Sequence, residues 1–124
     1  MLDLDAFLAD AETDALLAFL DELLLGGYGD RQGMSAADLC HSLTIALGER
    51  GWKTEWAHNP RWRDEPTQSS ATHANVVWVG PSDRGPANRA FRVEHDEYPH
   101  ALAEAAIRAL VGNGSVSLDA LASL

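Results

Sequence analysis

The chain of 124 residues has a single cysteine, Cys40, so no disulfide can form within it. No apolar run reaches the ~20 residues that a membrane span needs, and the N-terminus lacks the basic start of a secretory signal. These absences predict a cytoplasmic protein. Only nine bases stand against 19 acids, and the formal charge of −10 opposes direct binding to nucleic acid or to anionic membranes. The same charge favours a basic protein partner.

Basic residues are absent from the first 30 positions, which hold eight Asp or Glu. The spacing of apolar residues predicts one helix there, from about Asp3 to Leu25, ended by two glycines. At 100° per residue, four aspartates project within roughly 40° of one another on that helix. We name them the acidic stripe: Asp3, Asp10, Asp14 and Asp21.

Large apolar residues, Leu17 among them, project near the acidic stripe, away from the core face of the same predicted helix. An outward face that mixes carboxylates with large apolar groups is typical of a contact surface. We therefore predict that the stripe binds a basic partner or a second copy of the chain, giving a homodimer through the N-terminal helix. The alternative is an ordinary solvated helix face.

The rest of the chain predicts a helix over about 35–51, three strands over 52–57, 74–79 and 88–94, and a helix from Pro99 to about Gly112. The order α-α-β-β-β-α indicates a single α+β domain with a three-stranded antiparallel sheet and helices packed on it. In this scheme residues 1–27 form the acidic helix, 35–112 the αβββα core, and 115–124 a short helix or a frayed tail. Strand positions predict core packing for Trp52, Trp56 and Trp78.

A charged loop over 59–71 contains Arg61, Trp62 and Arg63, the residue types most enriched in binding hot spots. An exposed loop would present them to a partner. The alternative places Trp62 back over the sheet, with the two arginines in solvent.

The sequence offers no cofactor, metal or catalytic pattern. His95 and His100 flank the predicted start of the last helix, but no two histidines share a helix face with zinc-site spacing. His100, Glu104 and Arg108, spaced by four, are expected to form ordinary surface pairs. Cys40 and His41 are adjacent on a helix and point about 100° apart, so they cannot act as a nucleophile and its base.

The segment from Ser35 to Val111 resembles the small phage and prophage accessory proteins of the ABA-sandwich type. A helix and three strands precede a proline-led, alanine-rich helix that opens with Tyr98-Pro99 and continues through 101–110. The resemblance covers about two thirds of the chain and excludes the acidic N-terminal helix. It implies a fold and a phage origin but transfers no catalytic residues.

Charge, size and this resemblance together predict an anti-CRISPR-like inhibitor that blocks a basic nucleic-acid-binding surface of a host defence complex. An immunity protein that neutralises a basic toxin has the same physical profile. A third hypothesis, an enzyme with a dispersed site around His95, Asp96, Glu97 and His100, lacks any base-plus-nucleophile pattern in the sequence.

Overall fold

The computed structural model describes residues 2–58, 74–82 and 90–124. Its elements are α1 (Leu4–Asp10), α2 (Thr13–Leu25), α3 (Tyr28–Arg31), α4 (Ala36–Glu49), β1 (Trp52–His58), β2 (Asn75–Pro81), β3 (Phe91–His95), α5 (Tyr98–Gly112) and α6 (Leu118–Ala122). The predicted α+β class, the order α-α-β-β-β-α and the three-stranded antiparallel sheet are confirmed.

The first predicted helix is wrong as a single element, because the chain bends between α1 and α2. Ala11 and Glu12 are extended, with ψ of 144° and 137°. Asp3 caps α1 by accepting a hydrogen bond from the Ala6 N–H at 3.3 Å. At the other end, Gly26 takes φ of +60°, the left-handed conformation predicted for the helix terminus.

The sheet is an antiparallel meander in the order β1-β2-β3. Central strand β2 is the most buried of the three, as its apolar run predicts, and the register places Val77 opposite both Trp56 and Val93. Helix α4 packs on β1, and α5 packs on β2 and β3. Helix α2 packs on α4 and α5, so α5 lies between the sheet and α2.

Alanine allows α5 to pack closely on two sides. Pro99 occupies its first turn, where a missing N–H costs nothing. Ala101, Ala103, Ala105, Ala106 and Ala109 are each buried. This helix is the centre of the core rather than a one-sided surface helix.

The C-terminal residues form a short helix, one of the two predicted outcomes. The Ser117 hydroxyl caps α6 by accepting from the Ala120 N–H at 3.1 Å, and Leu121 is fully buried. None of the helices in the described ranges combines the length and apolarity that crossing a bilayer requires.

The prediction of core packing is wrong for Trp56, which is 53 % exposed on β1. Its ring lies against Tyr98 with centroids 4.5 Å apart, and its Nε1–H donates to Asn75 Oδ1 at 2.9 Å. Trp52 and Trp78 are half-buried. Strand β1 is an edge of the sheet, so one side of the indole meets solvent.

Candidate functional site

The four aspartates of the acidic stripe do not share one exposed face. The extended residues Ala11 and Glu12 interrupt the 100° rotation that placed Asp3 and Asp10 in line with Asp14 and Asp21. Asp3, Asp10 and Asp14 remain exposed, whereas Asp21 does not. The predicted continuous stripe is therefore wrong.

Asp21 is buried, with 3 % of its surface exposed, and it has a structural role. Its carboxylate accepts hydrogen bonds from the backbone N–H of Gly29 at 2.8 Å and of Asp30 at 2.9 Å. A Cβ on Gly29 would lie 2.9 Å from Asp21 Oδ1 and 2.7 Å from Leu39 Cδ1, so this approach requires glycine. The hydrogen bonds of Asp21 thus hold α3 against α2, and the buried carboxylate is not accessible to a partner.

Leu17 is also buried, at 3 % exposure, so its predicted place on an outward contact face is wrong. The reason is that α2 packs on both α4 and α5. Two neighbouring helices bury a wider arc of α2 than one neighbour would, whereas the prediction assumes that only one side of the helix is buried.

Three carboxylates around the bend between α1 and α2 are exposed, which is the property that the sequence predicts for the acidic stripe. We name Asp10, Glu12 and Asp14 the acidic elbow; all three are exposed. Within residues 2–58, 74–82 and 90–124, no ion pair or side-chain hydrogen bond joins any of them to another side chain. Asp5 differs, because it pairs with Arg108 at 2.6 Å.

Two grooves meet the acidic elbow. One, of about 520 Å³, is lined by Glu12, Thr13, Asp14, Ala36, Glu97 and Pro99. The other, of about 460 Å³, runs along α1 and is lined by Leu2, Asp3, Ala6, Phe7, Asp10 and Ala11. Their linings adjoin in the chain at 10–14 and contain five carboxylates and no base. Two shallow grooves of this composition are suited to cationic side chains carried on apolar stems.

His100 fixes the bend against α5. The spacing of four predicts it on the surface, yet only 4 % of it is exposed. Its Nδ1 lies 2.9 Å from Thr13 Oγ1, and its Nε2 lies 3.0 Å from Glu104 Oε1 and 3.3 Å from the Leu8 carbonyl oxygen. One imidazole thus joins the end of α1, the start of α2 and α5.

The partners of His100 determine its tautomer. Nε2 faces two acceptors, Glu104 and the Leu8 carbonyl, so it carries the proton. When the ring is neutral, Nδ1 is then an acceptor for the Thr13 hydroxyl. Arg108 Nε lies 3.9 Å from Glu104 Oε2, which adds a cation beside this carboxylate.

A hydroxyl, an imidazole and a carboxylate in that order are also the components that activate a nucleophile. The surroundings of Thr13 oppose that chemistry, because the groove it lines contains Glu12, Asp14 and Glu97. These carboxylates would raise the energy of the oxyanion that forms when a carbonyl is attacked. We assign the network to positioning of α1 and α2.

The residues of the enzyme hypothesis are near one another. The rings of His95 and His100 stack with centroids 4.2 Å apart, and His95 Nδ1 accepts from the Glu97 N–H at 3.0 Å. Asp96 accepts from the Ala74 N–H at 3.2 Å. Across the described ranges, no group of three or more His, Cys, Asp or Glu has a geometry that could hold a metal ion.

Cys40 of α4 lies in the core, with 1 % of its surface exposed. Burial raises the pKa of this thiol to about 11, so it remains protonated at neutral pH. A protonated, inaccessible thiol is a poor nucleophile. The predicted binding residues Arg61, Trp62 and Arg63 lie outside the described residues.

Comparisons with protein-family models, with curated proteins and with solved structures find no match to this chain. The function is therefore inferred from the geometry of the chain itself, and the resemblance to phage accessory proteins stays a prediction.

Proposed function

We propose that the protein is an acidic binding module whose acidic elbow and two adjoining grooves capture a basic surface of another protein. The observation that carries this proposal is the set Asp10, Glu12 and Asp14, three exposed carboxylates without an ion-pair partner among the described residues. Asp5 on α1 differs, because it has an internal cation in Arg108. Exposed carboxylates without an internal ion-pair partner favour a cationic partner from outside.

The partner class that fits this surface is a protein that itself binds nucleic acid. Such a protein presents clustered Arg and Lys that normally contact phosphates, and the module would cover them. Together with the predicted phage resemblance, this supports an anti-CRISPR-like inhibitor. A basic toxin neutralised by an immunity protein would use the same electrostatics. A homodimer through the elbow is disfavoured, because each copy carries a formal charge of −10.

The test compares two variants that each remove three negative charges. The elbow variant carries Asp10→Asn, Glu12→Gln and Asp14→Asn, and the control variant carries Glu22→Gln, Asp38→Asn and Asp119→Asn at sites elsewhere. Each is immobilised and exposed to bacterial lysate at low salt, and the bound proteins are identified by mass spectrometry. We expect basic nucleic-acid-binding proteins to bind the wild type and the control, and to be lost from the elbow variant.

Two further readouts sharpen this test. Capture must decline as salt rises, since exposed charge pairs are screened, and added double-stranded DNA must compete with the module for the partner. A captured toxin that does not bind nucleic acid would favour the immunity function instead. Equal capture by both variants, or capture that is independent of salt, would refute the proposed role of the elbow.

A further inference from the structure

A second concave site lies at the far end of α2 from the acidic elbow. It is a cleft of about 350 Å³ where α2, α4 and α5 reach their C-terminal ends. Two kinds of side chain line it. The apolar walls come from Leu23 and Leu24 of α2, Trp52 of β1 and Leu110 of α5. The polar groups come from the segments at the ends of α4 and α5.

The apolar walls are incompletely covered. Leu23 is 39 % exposed, and it is one of only a few large hydrophobic side chains that the described surface presents to this degree. Trp52 is half-buried, whereas Leu110 closes the base at 2 % exposure. The cleft can therefore accept a hydrocarbon or aromatic group and remove Leu23 and Trp52 from water.

The polar groups of the cleft are hydrogen-bond donors. Arg50, the residue that ends α4, has no ion pair or hydrogen bond through its guanidinium to any other described side chain. Asn113 Oδ1 accepts from the Ser115 N–H at 2.9 Å, so the amide presents its Nδ2–H₂ group as a donor. The Ser115 hydroxyl supplies a third.

A cleft lined by hydrogen-bond donors and no carboxylate is unusual in so acidic a protein. Acids outnumber bases 19 to 9 in the chain, yet the residues lining this cleft include no Asp or Glu. The groove at the elbow has the opposite composition, three carboxylates and no base. The two surfaces therefore select for ligands of opposite charge.

We propose that the cleft binds a small apolar carboxylic acid. Its carboxylate lies against Arg50 and Asn113, where charge-assisted hydrogen bonds fix its orientation. Its apolar body lies against Leu23 and Trp52. The volume stands at the lower end of the range for ligand sites, about 300–1,000 Å³, which fits a short chain or a single ring.

Arg50 also complements the partial negative charge at the end of α4. This interaction with the helix end accounts for an arginine at the end of α4. It does not account for the apolar walls of the cleft or for the donors Asn113 and Ser115. The experiment separates the two roles by asking whether the charge and the apolar body of a ligand are both needed. The proposal does not depend on the function proposed for the elbow.

The probe is octanoate, titrated into the ¹⁵N-labelled full chain and followed by amide and indole chemical shifts. We expect saturable shifts at the Trp52 indole, Asn113 and Ser115. Acetate, which lacks the apolar body, and 1-octanol, which lacks the charge, should each bind at least about tenfold more weakly, as expected if each part contributes about 1.4 kcal/mol or more.

Two arginine variants complete the test. Arg50→Gln should weaken octanoate binding about tenfold, whereas Arg92→Gln, which makes the same charge change on β3, should bind like the wild type. An unchanged spectrum away from the cleft verifies that Arg50→Gln is folded. Equal binding of octanol and octanoate, equal affinity in Arg50→Gln, or shifts located away from Trp52 and Asn113 would overturn the proposal.

Discussion

The two ends of α2 carry the same residue type with opposite roles. At its start, Asp14 is exposed, belongs to the acidic elbow and lines a groove that contains no base. Seven residues later, Asp21 is buried and accepts two backbone hydrogen bonds from α3. A helical projection places both on one side of the helix, so periodicity alone cannot distinguish a partner-binding carboxylate from a structural one.

The difference comes from the chain segment that packs against each aspartate. Two glycines end α2, and the chain reverses so that the N–H groups of Gly29 and Asp30 meet Asp21. No described element covers Asp14 in this way; it lies in the first turn of α2, where a negative charge is favourable beside the helix dipole. The number of acidic residues on a helix face therefore overstates the charge available to a partner.

Replacement of Asp21 tests this comparison with the largest expected effect. Asp21→Ala leaves two backbone N–H groups without an acceptor and should lower the free energy of unfolding by about 3 kcal/mol. The matched change Asp14→Ala should lower it by no more than about 0.5 kcal/mol. Urea unfolding followed by circular dichroism measures both, and similar losses for the two variants would contradict the assigned roles.

Thr13→Val tests how the elbow is held. The substitution keeps the shape of the side chain but removes the hydroxyl that hydrogen-bonds with His100 Nδ1, and it should cost about 1.5 kcal/mol in the same unfolding measurement. Ser123→Ala, which removes an exposed hydroxyl that bonds only within the α6 segment, should change stability by less than about 0.5 kcal/mol. If Thr13→Val were as stable as the wild type, the Thr13–His100 contact would not be what fixes the bend.

A change in salt concentration should produce the smallest change in the free energy of unfolding. An increase in NaCl from about 20 mM to about 500 mM screens repulsion between exposed carboxylates and should stabilise the wild type by about 0.5 kcal/mol. The elbow variant should lose more of this gain than the control variant with charges removed at 22, 38 and 119. Equal salt dependence would mean that repulsion is not concentrated at the elbow.

The αβββα core is predictable from the sequence because the relevant signals are local. Alternation over 52–58, the apolar run of β2, the proline at the start of α5 and the serine caps of α4 and α6 each act within a few residues. The structure has β3 from Phe91, whereas the predicted start at Asn88 lies outside the described residues.

The candidate site is less predictable because its determinants are distant in sequence. No proline or glycine marks the bend at 11–12, and the contact that accompanies it joins Thr13 to a residue 87 positions away. The burial of His100 results from the same contact, whereas its spacing of four with Glu104 indicates an ordinary surface pair.

Helix α5 fixes the distance between the groove at the acidic elbow and the cleft that contains Arg50. Its first turn borders the anionic groove through Pro99, and its far end borders the Arg50 cleft through Leu110. Pro99 and Leu110 are eleven residues apart, which at about 1.5 Å per residue places them about 17 Å from each other along the helix. That distance is about twice the Debye length of about 8 Å at physiological ionic strength, so a cation bound in the groove and an anion bound in the cleft would interact only weakly with each other.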